Sequence, residues 1–290
     1  VFDPVLFATS ALNGVLLGGV YALIALGLTL IYGVLHIINF AHGSLLMLAL
    51  YGVFFLVAGT GINPYLALPI LTIAFFALGY ALQHSVIAKA SHGRDENVLL
   101  VTLGVSIIIE NLALYFWKAD TRSLDFPLSF ETMDLGFTFL PLTSVIAFGG
   151  AVLVTLALGL LIGFTDTGKA IRAVAKERQG AKLVGIDVDH MFAMSFGIGT
   201  AVLGAAACLM LPMFYVSPSV GHVFVLIAFT VVVLGGMGSF TGALIGGLII
   251  GVTESLGSLY LGESLGQLGV FVIFIGVLLF RPTGLFGARA

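Results

Sequence analysis

Two carboxylates, Glu110 and Glu254, stand inside long apolar stretches of the chain. An ionisable group in hydrocarbon is costly, so each marks an inward-facing, functional position by default. Glu110, next to Asn111, is about two turns from Trp117, which makes snorkelling or an interhelical bond the competing reading, and Glu254 invites the same alternative. A second kind of chemistry is offered where backbone breaks an apolar run. Asn39, His42 and Ser44 interrupt the sequence with Gly43 opening a new helix, and amides exposed at such a helix start can receive a carboxylate. The plainer alternative is that Asn39 and Ser44 cap the helix while His42 bonds a neighbouring carbonyl. Gly235, Gly236, Gly238 and Ser239 form another candidate break, either a pore-lining turn or a site of close helix packing. Each break couples a Gly-Ser step to a small-residue helix, a weak sign of a pseudo-repeat. The turn-rich stretch Pro212, Ser217, Pro218, Ser219, Gly221, His222 reads as an external loop or as a turn entering a short helix. No second ligand stands at helical spacing from His42, and Cys208 is the lone cysteine among Ala and Leu, so neither a metal site nor an intrachain disulfide is expected.

The elements that must hold these groups follow from composition. Of 290 residues, 60% are hydrophobic and 9% charged, against about 25% charged in an average soluble domain. No Asp, Glu, Lys or Arg occurs from Pro4 to Ala88 or from His190 to Thr253. Both runs far exceed the roughly 20 residues of one membrane span. The chain reads as one all-α polytopic membrane domain over 1–290 with about eight or nine spans, near 6–31, 42–58, 65–88, 97–117, 141–164, 191–211, 223–236, 240–260 and 266–280. The first is read as a span and not a signal peptide, since no basic segment precedes it. Helices are expected to be short or broken near 36–44 and 223–240. A net charge of −3 with eleven basic residues gives no footing to a nucleic-acid partner.

Five of those eleven basic residues fall between Lys169 and Lys182. Basic excess marks cytoplasmic loops, so 165–190, 89–96 and the C-terminus are placed inside and the N-terminus and 118–140 outside, with Lys118 and Arg122 as minor exceptions. Thr165 to Lys176 has the pattern of a short amphipathic helix with Asp166 and Thr167 as candidate caps. A second small helix with Ala181, Leu183 and Val184 ends at Gly185. Such a segment either lies on the headgroups or docks in a groove on a cytoplasmic partner.

Four strings in order then resemble a known family: Ile38-Asn39-Phe40-Ala41-His42-Gly43; Gly168 to Ala175 followed by Gly185-Ile186-Asp187-Val188-Asp189; Val232 to Ser239 with Gly242 to Gly247; and Arg281-Pro282-Thr283-Gly284-Leu285-Phe286-Gly287. Together, and along nearly the whole chain, they resemble the permeases of branched-chain amino acid ABC importers, relatives of urea and short-chain amide permeases. The resemblance implies a non-enzymatic translocation subunit in a bacterial inner membrane. Its partners would be a second, related permease, two ATPases that use ATP and Mg, and an extracytoplasmic binding protein holding most of the selectivity; the chain itself would bind no cofactor. It also implies that 165–190 is the ATPase-coupling element, with Gly168, Lys169, Arg172, Lys176, Glu177, Arg178 and Gly185 as its contact residues. Where the family usually shows Glu-Ala-Ala, this chain has Gln179-Gly180-Ala181, and a glycine there loosens a helix by about 1 kcal/mol relative to Ala. No Gly-x-x-x-x-Gly-Lys-Ser/Thr phosphate loop and no hydrolase or metalloprotease motif occurs. The alternatives are a urea or short-chain amide permease, and an ion-coupled carrier that would need Glu110 and Glu254 as coupling groups.

Overall fold

A computed structural model describes residues 3–91, 95–281 and 283–287. Pro282 of the last matching string lies outside them, as do Arg94 of the 89–96 loop and Arg289 near the C-terminus. Helix α1 (Pro4–Leu35) begins where the Asp3 carboxylate accepts the N–H groups of Val5 (2.9 Å) and Leu6 (3.4 Å). Pro4 occupies a first-turn position that needs no N–H. The helix runs roughly 48 Å at 1.5 Å per residue and stops at His36, whose left-handed backbone (φ 59°) sends its N–H to the Tyr32 carbonyl.

The chain then turns back. After 36–41, helix α2 (His42–Thr60) starts beside Ile24, about three turns before the end of α1, because His42 Nε2 lies 3.0 Å from the Ile24 carbonyl. Helix α3 (Leu68–Leu82) continues through a π-helical turn at Gln83–Ile87 into α4 (Ala88–Ser91), and α5 (Asp95–Trp117) returns. A hairpin of β1 (Thr132–Asp134) and β2 (Phe139–Pro141) precedes α6 (Leu142–Phe164). Two short helices, α7 (Asp166–Lys176) and α8 (Arg178–Leu183), lead to α9 (Val188–Met210). The last three helices are α10 (Val220–Gly235), α11 (Phe240–Leu261) and α12 (Glu263–Phe280).

Seven of the described helices are long and apolar enough to cross a membrane by length and composition, and Val220–Gly235 and Leu265–Phe280 are shorter apolar companions. The all-α polytopic reading is borne out and the chain is a multi-pass membrane protein. The expected break at 36–44 narrows to 36–41. Between α10 and α11 only Gly236 to Ser239 is non-helical, with Gly236 at φ 103°. One expected cap is corrected: neither Asp166 nor Thr167 caps α7. Thr165 does, its hydroxyl oxygen accepting the Gly168 N–H at 3.0 Å, because Thr165 alone there keeps the extended backbone a cap requires.

Helix α1 is the axis of the bundle. From Val20 to Ile31 it is buried on all sides, with α11, α9, α6 and α10 around it, while α9 is lodged in the same way among α3, α1 and α2. Lipid tails are as apolar as Leu, so such contacts depend on close van der Waals fit. A Cβ on Gly18 would stand 2.7 Å from the Gly247 carbonyl oxygen, and one on Gly247 2.6 Å from the Ala22 Cα.

Two ends of the bundle are distinguished by what they carry. At one, the Thr9 and Thr138 hydroxyls bond at 2.8 Å, and Arg122 and Val216 exchange both backbone bonds (2.8 and 2.7 Å). The Arg122 guanidinium lies over the Phe54 and Phe55 rings, 5.8 and 5.4 Å from their centroids, which accounts for a basic residue on this side. At the other end sit α7, α8 and residues 283–287, where the Leu285 and Phe286 N–H groups bond the carbonyls of Leu234 (2.8 Å) and Gly235 (3.0 Å).

Gly18→Val should separate α1 from α11 and lower stability by about 1–3 kcal/mol. Gly159→Ala, where an added Cβ meets nothing within 4 Å, should leave it unchanged or raise it by up to about 1 kcal/mol. Thermal unfolding of the detergent-purified protein distinguishes the two.

Candidate functional site

The break at 36–41 accounts for its own polar groups. Asn39 Oδ1 accepts the Ala41 N–H at 3.0 Å, the Asn39 carbonyl accepts the His42 N–H at 3.3 Å, and the Ser44 hydroxyl donates to the Ala41 carbonyl at 3.0 Å. Asn39, His42 and Ser44 are buried at 2, 0 and 1% exposure. Asn39 closes the turn just before α2 without capping the helix, and Asn39 Nδ2 and His42 Nδ1 are left without a partner. His42 Cε1 approaches the position of a Cβ on Gly27 (3.4 Å), so the ring is packed against the contact of α1 with α9.

What the start of α2 meets is the start of another helix. A Cβ on Gly43 or on Gly221 would overlap the carbonyl of the other. The chain reaches Gly221 through a second break, 211–219, in which Leu211, Val216 and Ser217 are buried. The turn with Pro212, Ser217, Pro218, Ser219 and His222 is thus largely folded into the bundle, the Ser129 hydroxyl donating to the Pro212 carbonyl at 3.0 Å. The structural counterpart of 36–41 is 211–219 and not 235–239. A Cβ on Gly27 would stand 2.6 Å from the Gly199 oxygen, and one on Gly199 2.8 Å from the Gly27 oxygen, so α1 meets α9 as α2 meets α10.

Gly235, Gly236, Gly238 and Ser239 form the junction at the far end of α10. Gly235 abuts Gly242, Gly236 abuts Gly287, and Ser239 caps α11 by accepting the Gly242 N–H at 3.1 Å. The junction therefore fastens α10, α11 and residues 283–287 together, and it does not adjoin the Asn39–Ser44 group.

The two carboxylates have different surroundings. Glu110 accepts the Ser106 hydroxyl at 3.2 Å and faces His222 Nε2 of α10, 3.2 Å from its other oxygen. Interhelical bonding thus describes Glu110. Glu254 lies on α11 beside Tyr21 of α1, and its Oε2 is buried without a partner.

In 165–190, charge and apolar surface separate as the pattern predicted. Ile171 and Val174 of α7 are buried, and the Cβ missing from Gly168 lets α7 lie against the end of α6. Arg172 donates to the Ile162 and Gly163 carbonyls and Arg178 to the Leu35 carbonyl (2.6 Å), so these two side chains bind the last carbonyls of α6 and α1. Arg178 also lies over the Phe192 ring at 5.1 Å. Lys169 pairs with Asp166 at 2.9 Å on the surface, and Lys176 and Glu177 are exposed. Gly185, at φ 86°, closes α8 and leaves Leu183 and Val184 88% and 76% exposed.

Residues 10–281 match the family described as branched-chain amino acid transport system, permease component. The chain belongs to that family. It is 34% identical to the high-affinity branched-chain amino acid transport system permease protein LivH of Salmonella typhimurium, over 97% of this chain and 96% of the relative. It is 32% identical to the corresponding protein BraD of Pseudomonas aeruginosa (95% and 94%), and 29% identical to a probable branched-chain amino acid transport permease protein LivH of Methanocaldococcus jannaschii (95% and 91%). No solved structure matches.

In this permease, sequence reasoning missed two groups. The helix start at Val220–Gly221 was expected near 223 after a turn, but its burial against Gly43 was hidden because Pro and Ser read as a surface turn. The use of Arg172 and Arg178 on helix carbonyls was hidden because a cationic side chain does not announce its acceptor. His222 was legible as polar, though not as the partner of Glu110. Since the His222 side chain is 64% exposed, a double-mutant cycle with Glu110→Gln and His222→Gln should return a coupling of about 0.2–1 kcal/mol. Strict additivity in thermal unfolding would remove the pair.

Proposed function

We propose that this permease is a translocation subunit of an ATP-driven (ABC) importer carrying branched-chain amino acids inward across the cytoplasmic membrane. The full-length match to permeases named for that transport carries the reading. A second, related permease chain completes the pathway, an extracytoplasmic binding protein delivers substrate, and two ATPase subunits supply ATP and Mg chemistry. The end bearing α7 and α8 is cytoplasmic, consistent with its basic cluster, and the end bearing residues 118–141 is external.

The shape of α7 and α8 supports the assignment of 165–190 as the coupling element. Arg172 and Arg178 grip the ends of α6 and α1, while Leu183 and Val184 stand exposed at the turn made by Gly185. An apolar pair held out among Lys176, Glu177 and Lys182 suits insertion into a cleft on a partner, and its tether transmits the partner's movement to α1. Docking therefore rests on Leu183 and Val184, with Lys169, Lys176 and Glu177 as the charged rim.

The deciding experiment is leucine uptake into proteoliposomes containing the permease pair, the ATPases and the binding protein. Uptake should require ATP; accumulation by this chain alone on an ion gradient would overturn the reading. Leu183→Asp with Val184→Asp should reduce ATPase co-purification at least tenfold while membrane insertion is retained. Arg178→Ala should instead lower thermal stability, by about 1.5–3 kcal/mol for a hydrogen bond to a charged group, and unchanged stability would return Arg178 to the docking surface.

A further inference from the structure

A cavity of about 670 Å³ opens among α1, α6, α11 and α12, with Ser10, Asn13, Ser144, Ser258 and Gln267 in its walls beside Glu254. Its lining comes from the N-terminal half of α1, the starts of α6 and α12, the last turns of α11 and Met213 just past α9. The mouth therefore lies at the end of the bundle that carries the β-hairpin, away from α7 and α8. Across Glu254 and Gln267 is a second, smaller pocket of about 90 Å³, whose walls are Val223, Leu226, Ile227, Val270 and Phe271 with one hydroxyl, Thr230. Glu254 and Gln267 are the residues shared by a polar chamber and an apolar one.

The carboxylate between them is held and incomplete at once. Tyr21 of α1 stands beside it, and the Ser255 hydroxyl fixes α11 to α1 by donating to the Ser10 carbonyl at 2.7 Å. Yet Glu254 Oε2 is buried with no partner. A buried carboxylate oxygen accepts only, so what completes it is a donor, and a cationic donor removes the cost of its charge as well. A ligand reaching it from the polar chamber is bounded on the far side by an aliphatic pocket. An ammonium, a neighbouring polar group and a short branched hydrocarbon, in that order, describe an α-amino acid with an aliphatic side chain.

We propose that the Glu254 chamber is a substrate subsite, in which Glu254 receives the α-ammonium, the Ser, Asn and Gln groups of the polar chamber face the carboxylate, and the side chain enters the pocket of Val223, Ile227 and Phe271. The inference rests on the importer reading and adds to it a place on this chain where substrate is recognised after delivery. Recognition here, by a carboxylate receiving an ammonium, differs from the helix-start capture of a carboxylate expected at Asn39–Ser44.

The test is ATP-driven uptake of radiolabelled leucine and alanine by the reconstituted assembly. Glu254→Gln should lower leucine uptake at least tenfold, and Glu254→Asp, which keeps the charge, should recover at least a third of the wild-type rate. Ile227→Phe, which fills the apolar pocket, should lower the leucine-to-alanine uptake ratio at least fivefold, a change that general damage to the fold does not produce and that decides the matter should Glu254→Gln fail to assemble. Wild-type leucine uptake by Glu254→Gln, or an unchanged ratio in Ile227→Phe, overturns the subsite and leaves the importer reading standing. Absence of ATP-driven amino acid uptake by the wild-type assembly overturns both.

Discussion

The close approach of α1 to its neighbours is the contact on which the other features depend. In lipid, burying a helix gains nothing from leaving water, so α1 is held by backbone-to-backbone fit and by the few polar bonds that cross to it. Gly18 against Gly247 and Gly27 against Gly199 supply the fit on two sides. His42 to the Ile24 carbonyl, Ser255 to the Ser10 carbonyl and Arg178 to the Leu35 carbonyl supply the bonds. All three end on carbonyls of α1, one near each end and one between, so the register of α1 fixes α2, α11 and α8 together.

Non-helical backbone at membrane depth is tolerated only where protein satisfies it, and this constraint explains the contents of both breaks. The segment 36–41 is satisfied by Asn39 within it and by Ser44 in the first turn of α2, whose side chains bond the Ala41 N–H and carbonyl. The segment 211–219 solves the same problem through pairing, Val216 exchanging backbone bonds with Arg122. The two solutions differ in residue type, yet they deliver two helix starts to the same place, Gly43 against Gly221. Glycine is required on both sides because any Cβ would push the starts apart.

This difference also sets what could be read in advance. The polytopic architecture, the first break, the amphipathic α7 and the close packing at Gly235–Ser239 were legible because each depends on local pattern: hydropathy, 3.6-residue periodicity or a cluster of small residues. The second break was legible as a turn leading into a helix but not as part of the bundle, since its satisfaction comes from Arg122, nearly a hundred residues earlier, and its prolines and serines look the same at a surface or within a bundle. Glu110 and Glu254 were legible as costly groups. Their roles were not, because His222 and Tyr21 are contributed by helices distant in sequence, and a buried oxygen without a donor is a property of three-dimensional packing alone. The charges of 169–182 correctly marked a distinctive end, but two of them serve the helices behind them.

One helix joins the two ends of the proposed cycle. Arg178 of α8 grips the carbonyl of Leu35, the last residue of α1, and Tyr21, Asn13 and Ser10, farther along the same helix, contact Glu254 or line its chamber. From Leu35 to Tyr21 is about 21 Å of unbroken α-helix, and Arg172 fixes the end of α6 to α7 in the same way while Ser144 of α6 stands in the chamber wall. A partner that moves α7 and α8 as a unit thus pulls on two of the helices that shape the chamber, while α11 and α12, joined at Gly257 and Gly266, provide the other walls. Tyr21 is the sensitive point, because it stands beside Glu254 across the α1–α11 contact. Because α1 and α11 meet backbone to backbone at Gly18 and Gly247, any shift of α1 along α11 also moves Tyr21 relative to Glu254.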